Sequence, residues 1–299
     1  MAGGPDAGKK SVHRVEAEDP KLGALLNESK LMTSPIELPG NNLQDCQFLT
    51  IEMSAGRAQV CLNRPTARNA MSRGLMRELI DVAHGLSQRT DIQVVILTGG
   101  DICFSAGVDL KEASAWTDES LSAVERREIA SLGYKLCKAW EELPQITIVA
   151  IEGFAIGGGL ALSVACDWRV MADDAFVSLP EIALGIPLTW GAIPRLLQLV
   201  GPAKAKRLTI LCERVNAPDA LGMGLVDYVC GKGHALRKAQ AVAEQTLAMP
   251  AAAVRMSKET VNAVATVGNH LASHMGHDQI ALAASSPESR QRRAAALKP

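Results

Sequence analysis

Charge of either sign in excess is missing from this chain: 31 Lys+Arg stand against 32 Asp+Glu, leaving a net −1. That balance gives no electrostatic basis for general binding to nucleic acid or to a membrane surface. No apolar run approaches the roughly eighteen residues of a membrane-spanning helix. The first residues lack the apolar core of a signal sequence, and Glu16, Glu18 and Asp19 argue against a transit sequence. The seven cysteines (Cys46, Cys61, Cys103, Cys137, Cys166, Cys212, Cys230) are scattered and form no C-x-x-C pair. Several sit in apolar runs, so they predict reduced core thiols and a cytoplasmic protein. The run Gly157-Gly158-Gly159 lacks dinucleotide-site spacing, and neither a Walker pattern nor a G-x-S-x-G elbow is present.

What is present reads as an α/β protein. Residues 1–46 mix Gly, Pro, Asp, Lys, Asn and Ser with little periodicity, which predicts a flexible N-terminal extension outside the core. Phe48–Met53 and Ala58–Leu62, split at Gly56, predict a hairpin. Leu75, Leu79, Val82 and Leu86 recur at helical spacing. A strand at 94–98, a helix near 121–142 and a strand at 148–151 continue as β-α-β alternation. From His234 the strand signals vanish, and Ala-rich amphipathic stretches at 234–248, 251–265 and 268–284 predict helices. The expected division is a core at 47–233 and a helical region at 234–299.

Two glycine-bearing segments follow strands: Ser105-Ala106-Gly107-Val108-Asp109 and Ile156-Gly157-Gly158-Gly159-Leu160-Ala161. Each predicts a turn that feeds a helix, where small residues let a backbone N–H approach a ligand oxygen. Two such groups facing one another would make an oxyanion hole; the plainer reading is a pair of tight turns. Asp109 and Glu112 spell a D-x-x-E capping box, which gives Asp109 a structural role in starting a helix. Glu181 follows Pro180 among apolar neighbours. Desolvation there would lift its pKa toward the range useful for proton transfer, although a lone Glu is ordinarily a solvated surface residue.

These segments resemble the crotonase (enoyl-CoA hydratase/isomerase) superfamily, whose loops read roughly F-x-A-G-x-D-[IL] and G-x-x-x-G-G-G, followed by P-E-x-x-x-G. Here they are Phe104–Leu110, Gly153–Gly159 and Pro180–Gly185. Leu62-Asn63-Arg64-Pro65, Asn69-Ala70, Ala165-Cys166-Asp167 and Gly222–Asp227 fall in the family's order. The resemblance implies a spiral of ββα repeats with a C-terminal helical region that builds a homotrimer or a hexamer. It implies an acyl-CoA thioester substrate, with coenzyme A as part of that substrate and neither a metal nor a separate cofactor. The implied general base is Glu181, and the implied oxyanion-hole donors are the amides of Ala106 and Gly158. Arg68, Ala70, Ala106, Gly107, Val108, Asp109, Gly157 and Trp190 are the implied substrate-binding residues.

The chain departs from the hydratases of this family at Ala161. They carry a second glutamate there, two residues after the triple glycine, and use both carboxylates to activate water. A second departure is Pro187-Leu188-Thr189-Trp190-Gly191-Ala192-Ile193-Pro194-Arg195-Leu196, where hydratases usually show P-G-x-G-G-T-Q-R-L. Both make the pocket more apolar and resemble the 3-enoyl to 2-enoyl-CoA isomerases, which manage with one carboxylate. Isomerisation is therefore the expected activity; hydration of a 2-enoyl-CoA and non-catalytic acyl-CoA binding are the alternatives. Replacing Ala161 by Glu is expected to introduce hydration if the pocket near Trp190 has space. Trp190 is open to a second reading as a core aromatic, and Arg68 to one as a solvent-exposed cation rather than a CoA-phosphate ligand. His270, His274 and His277 have a spacing that permits metal binding, but only Asp278 is placed to join them, which favours a solvated or subunit-facing stripe.

Overall fold

The computed structural model describes residues 46–112, 118 and 120–296, so the expected 1–46 extension lies outside the described residues save for Cys46. The expected hairpin is present as β1 (Leu49–Ser54) and β2 (Arg57–Leu62), antiparallel with Leu49 opposite Leu62. Gly56 turns the chain at φ 74°. In β2 the side chains of Ala58, Val60 and Leu62 alternate into the core. Helix α1 (Arg73–Ser87) starts where the Ser72 side chain accepts the Leu75 N–H, and it buries Leu75, Leu79, Val82 and Leu86 as their spacing predicts.

β3 (Val94–Thr98), α2 (Ala123–Glu141) and β4 (Ile146–Ile151) complete the β-α-β alternation. The Ser122 hydroxyl and Glu125 carboxylate form a reciprocal capping box at the start of α2. Two units then repeat one plan. β4 with β5 (Phe154–Ile156) and α3 (Gly158–Ser163) is the first. β6 (Trp168–Ala172), β7 (Phe176–Ser178) and α4 (Ala192–Ile210) form the second. In each, the first strand joins a large sheet and the next joins a small one. β8 (Val215–Asn216), α5 (Ala217–Met223) and β9 (Tyr228–Cys230) close the α/β part. The large sheet has the order β1-β2-β3-β4-β6-β9 and is parallel after the first hairpin; the small one is β5-β7-β8.

Both faces of the large sheet are covered, which is why β3 and β4 read as continuous apolar runs. Val95, Leu97, Val149 and Ile151 meet the helices α1 and α2. Val94, Ile96, Ile148 and Ala150 meet Ala235, Ala239, Val242 and Ala243 of α6 (Ala235–Leu247). The first helix of the expected 234–299 region thus seals the sheet of the expected core, so that among the described residues the two regions pack as one unit. The tail continues as α7 (Ala251–Ala265), α8 (Asn269–Ser273), α9 (Gly276–Ala284) and α10 (Pro287–Ala296). The single helix expected over 268–284 is thus two short ones, interrupted near Met275 and Gly276, and α10 was not expected.

Two late motifs are structural. Asp227 Oδ2 accepts from the Arg169 backbone at 2.7 Å and from its guanidinium at 2.8 Å. Arg169 is 1% exposed and also donates to the carbonyls of Leu225 and Cys166. Asp167 Oδ2 gathers the Thr147 N–H, the Thr147 hydroxyl and the buried Lys258 Nζ. Each carboxylate offsets the desolvation of a buried cation and ties a loop to the sheet. The six cysteines from Cys61 to Cys230 are free thiols, and burial pushes the Cys137 and Cys166 thiols up to about 12.

Candidate active site

Asn69 organises the first glycine loop. Its side-chain amide donates to the carbonyls of Gly99, Cys103 and Phe104, while its own carbonyl accepts from Ser105 Oγ at 2.8 Å. Met71 then pairs with this loop as a parallel bridge: Met71 N–H donates to Gly107 O at 2.7 Å, and Asp109 N–H donates to Met71 O at 3.2 Å. Because residues flanking a bridge bond toward the same neighbour, the Val108 N–H turns the other way. It has no acceptor among the described residues.

The second loop is fastened to the first through Ile156 N–H, which donates to Ser105 O at 3.0 Å. Gly157 adopts φ 51° and ψ −119°, a conformation open to glycine, and a Cβ there would stand 2.7 Å from Glu181 Oε1. Gly158 follows as the first residue of α3, and its N–H also lacks an acceptor among the described residues. The loops run so close that a Cβ on Gly107 would lie 2.8 Å from Ile156 O and 3.4 Å from Gly158 N.

The expected pair of donors therefore needs one correction. Ala106 N–H is already donated to Arg68 O at 3.0 Å, so it is not free for a ligand. Val108 and Gly158 present the unpaired amides. The signal that distinguishes residue 108 from 106 is the bridge to Met71, a long-range pairing that the loop's own sequence does not carry.

Glu181 sits at the start of a single 3-10 turn, Ile182–Leu184, and its carbonyl accepts from Leu184 and Ile186. The residue's outer part is partly exposed, but its carboxyl end is buried and Oε2 has no hydrogen-bond partner. Burial lifts its pKa from 4.5 to about 7. A cavity of about 20 Å³ brings together Val108, Gly158, Ala161, Glu181, Leu188, Trp190 and Ile280. That is room for about one water, less than a glutamate side chain at 161 would need. Ile280, from α9, is a wall residue that sequence reasoning missed.

The remaining expected site residues are more dispersed. Asp109 lines a second small cavity with Trp190, and its carboxylate pairs with Arg64 at 3.2 Å. The expected capping box at Asp109 and Glu112 does not form: Glu112 Oε2 accepts instead from Arg73 N–H at 2.8 Å, and residues 110–112 are a turn. The first loop thus ends in a turn there instead of feeding a helix at Asp109. Arg68 has an exposed side chain and φ 51°; only its carbonyl faces the site. Ala70 contributes its carbonyl to Arg64. His274 Nδ1 donates to Leu271 O at 2.9 Å, His277 lies beside Asp278, and the side chain of His270 is outside what is described. Among the described residues no His, Cys, Asp and Glu group is suited to a metal, and no helix is long and apolar enough to cross a membrane.

The sequence model of the enoyl-CoA hydratase/isomerase family matches residues 52–294. The chain belongs to this family. It is 34% identical over 215 residues to the crotonyl-CoA hydratase of Syntrophomonas wolfei, covering 72% of this chain and 81% of that one. It is 32% identical over 213 residues to the short-chain-enoyl-CoA hydratase of Clostridium acetobutylicum, covering 71% and 80%. Among solved structures, the enoyl-CoA hydratase of Bacillus anthracis superposes with a TM-score of 0.69 at 30% identity, over 84% of this chain and 91% of that one. The repeated strand-strand-helix units are accordingly those of the crotonase fold.

The buried carboxyl of Glu181 gives stability a predicted pH dependence. Its pKa is raised in the folded state from 4.5 to about 7, so between those values the native protein binds more protons than the unfolded chain. Stability falls as pH rises through that window. Glu181→Gln removes the effect: its unfolding free energy relative to wild type should climb between pH 4.5 and 7, by up to about 3 kcal/mol. Denaturant unfolding at pH 5, 6, 7 and 8 measures this, and a difference that does not change with pH contradicts it.

Proposed function

We propose that this member of the enoyl-CoA hydratase/isomerase family moves the double bond of a 3-enoyl-CoA to the 2-position with one carboxylate. The supporting observation is that Glu181 Oε2 is buried and unpartnered in a cavity where Ala161 offers no second acid and the amides of Val108 and Gly158 are unpaired.

In this reading the thioester carbonyl oxygen accepts from the Val108 and Gly158 N–H groups. Glu181 as carboxylate takes a proton from C2, and the freed electron pair forms a C1–C2 double bond as the carbonyl π electrons move onto the oxygen. When the carbonyl re-forms, the C1–C2 electrons become the C2–C3 double bond and the C3–C4 electrons take the same proton back from Glu181 at C4. The negative charge of the intermediate rests mainly on the carbonyl oxygen, and each preorganised donor there is worth about 3 kcal/mol of barrier. Burial suits Glu181 to both halves of the shuttle, since a pKa of about 7 makes it an adequate base and an adequate acid near neutral pH. Coenzyme A enters as part of the substrate, and the chemistry calls for neither a metal nor a separate cofactor.

Hydration of a 2-enoyl-CoA is the second reading, favoured by the names of the relatives from Syntrophomonas and Clostridium. It requires that water be held without a carboxylate at 161. Incubation with 3-enoyl-CoA and 2-enoyl-CoA separates the readings. The first should be consumed and the second left largely unhydrated; rapid hydration with no isomerisation contradicts the proposal. Glu181→Gln should lower turnover by about two to four orders of magnitude while acyl-CoA still binds. Unchanged turnover would remove Glu181 from the mechanism.

We also propose a cytoplasmic homotrimer, or a hexamer of two trimers. Val261, Val264, Val267 and Leu271 leave a run of apolar side chains 64–76% exposed along the C-terminal helices, a surface suited to burial against further copies. Light scattering at micromolar concentration should give a mass at least three times that of the chain, and a monomer contradicts this.

A further inference from the structure

We propose that the Trp190 indole is the fixed end wall of the acyl pocket and restricts this enzyme to short acyl groups. The inference rests on the reading that an acyl-CoA carbonyl docks at the amides of Val108 and Gly158.

The ring is seated between two helices. A Cβ on Gly158, at the start of α3, would lie 2.5 Å from Trp190 Cη2, and a Cβ on Gly133, inside α2, would lie 1.8 Å from Cε2. Glycine inside a helix is destabilising relative to alanine. Here the absence of a side chain at Gly133 makes the notch that the indole fills. The backbone under the ring is held as firmly. Arg195 Nη1 donates to the carbonyls of Trp190 and Gly191, each at 3.0 Å, and the Arg195 guanidinium is bound by Glu141 at 2.8 and 2.7 Å. Arg195 is 4% exposed, so this clamp is buried and is tied to the last residue of α2. Trp190 itself is at φ 60°, a conformation that a bulky residue keeps only when its surroundings impose it.

The position of the ring gives it a consequence for substrates. One cavity of about 20 Å³ lies on the Glu181 and Ala161 side. Another of about 20 Å³ lies between α1 and α2, against Met71, Met76 and Ile129. Val108, Trp190 and Ile280 line both. The indole therefore stands where an acyl chain leaving the carbonyl site would continue between the helices, along the Met71, Met76 and Ile129 side of a space whose other wall carries Arg73, Asp109 and Glu112. Its counterpart Ile280 packs against the aliphatic side chains of Ala130, Ile186 and Leu184. A small acyl group gains its room by displacing that contact, and a long one meets the clamped ring.

Removing the indole would join the two cavities into a space on the order of 150 Å³ or more, large enough for a ring or several methylenes. The test is calorimetric binding of the unreactive thioesters acetyl-, butyryl- and octanoyl-CoA, with free coenzyme A as reference, to the full-length wild type, Trp190→Ala and Trp190→Phe. Wild type should bind butyryl-CoA at least tenfold more tightly than octanoyl-CoA. Trp190→Ala should reverse the order, and Trp190→Phe should fall between. Should the alanine variant fail to fold, the wild-type ratio and the phenylalanine variant still decide. Equal affinity of wild type for butyryl- and octanoyl-CoA overturns the proposal, as does an unchanged ratio in a folded Trp190 variant. If no thioester binds more tightly than free coenzyme A, the acyl-CoA reading itself fails, an outcome distinct from loss of chain-length selection.

Discussion

The site depends on two pairings that hold its glycine loops face to face: Met71 against Val108, and Ser105 against Ala155. A bridge satisfies alternate backbone groups and leaves those between them pointing away. The pairing of Met71 thereby directs Val108 N–H toward the cavity, and the start of α3 leaves Gly158 N–H without a partner. Buried unpaired amides are unfavourable in a folded protein, and they persist because the surrounding network over-determines the loops. Asn69 alone makes contacts with Gly99, Cys103, Phe104 and Ser105. The Asn69-Ala70 segment thus supports the site through geometry that its own side chains do not complete.

Glu181 carries the complementary constraint. A carboxyl with one buried, unpartnered oxygen is expensive to ionise, and its pKa rises for that reason. Ala161 keeps the opposite wall apolar, so no second acid interferes with this titration. Val108, Gly158 and the buried acid line the same cavity, and the proposed oxyanion stabilisation and proton exchange rest on that arrangement. Trp190 limits how far that cavity extends. The Arg195–Glu141 pair makes the limit rigid by fixing the loop carrying Trp190 to helix α2.

Much of this was legible in the sequence because it is local. The 3.6-residue spacing of Leu75, Leu79, Val82 and Leu86 specifies α1, and the unbroken apolar runs at 94–98 and 148–151 specify strands covered on both faces. The ordered motifs and the acid at 181 identified the family. What could not be read depends on long-range pairing or packing. The choice of Val108 over Ala106 follows from hydrogen bonds to Arg68 and Met71, more than thirty residues away in sequence. The contact of Ile280 with the Glu181 cavity joins elements about a hundred residues apart. Glu112 was read as a partner of Asp109, but the start of α1 competes for its carboxylate. The Ala-rich periodicity of 234–248 specifies a helix without specifying its partner, and it is the large sheet that covers its apolar face.

The most direct test of the central claim, that Glu181 exchanges a proton with C2 of a thioester held by two backbone amides, is hydrogen exchange at C2 of butyryl-CoA in D₂O, followed by NMR. Saturated butyryl-CoA offers no double bond to move or hydrate, so the exchange isolates the proton transfer from the choice between isomerase and hydratase. Wild type should incorporate deuterium at C2 with a rate that rises through a midpoint near 7, the value to which burial lifts Glu181, and Glu181→Gln should not. Exchange that persists at the wild-type rate in the variant, or that is absent in a wild type shown to bind butyryl-CoA, would contradict the account.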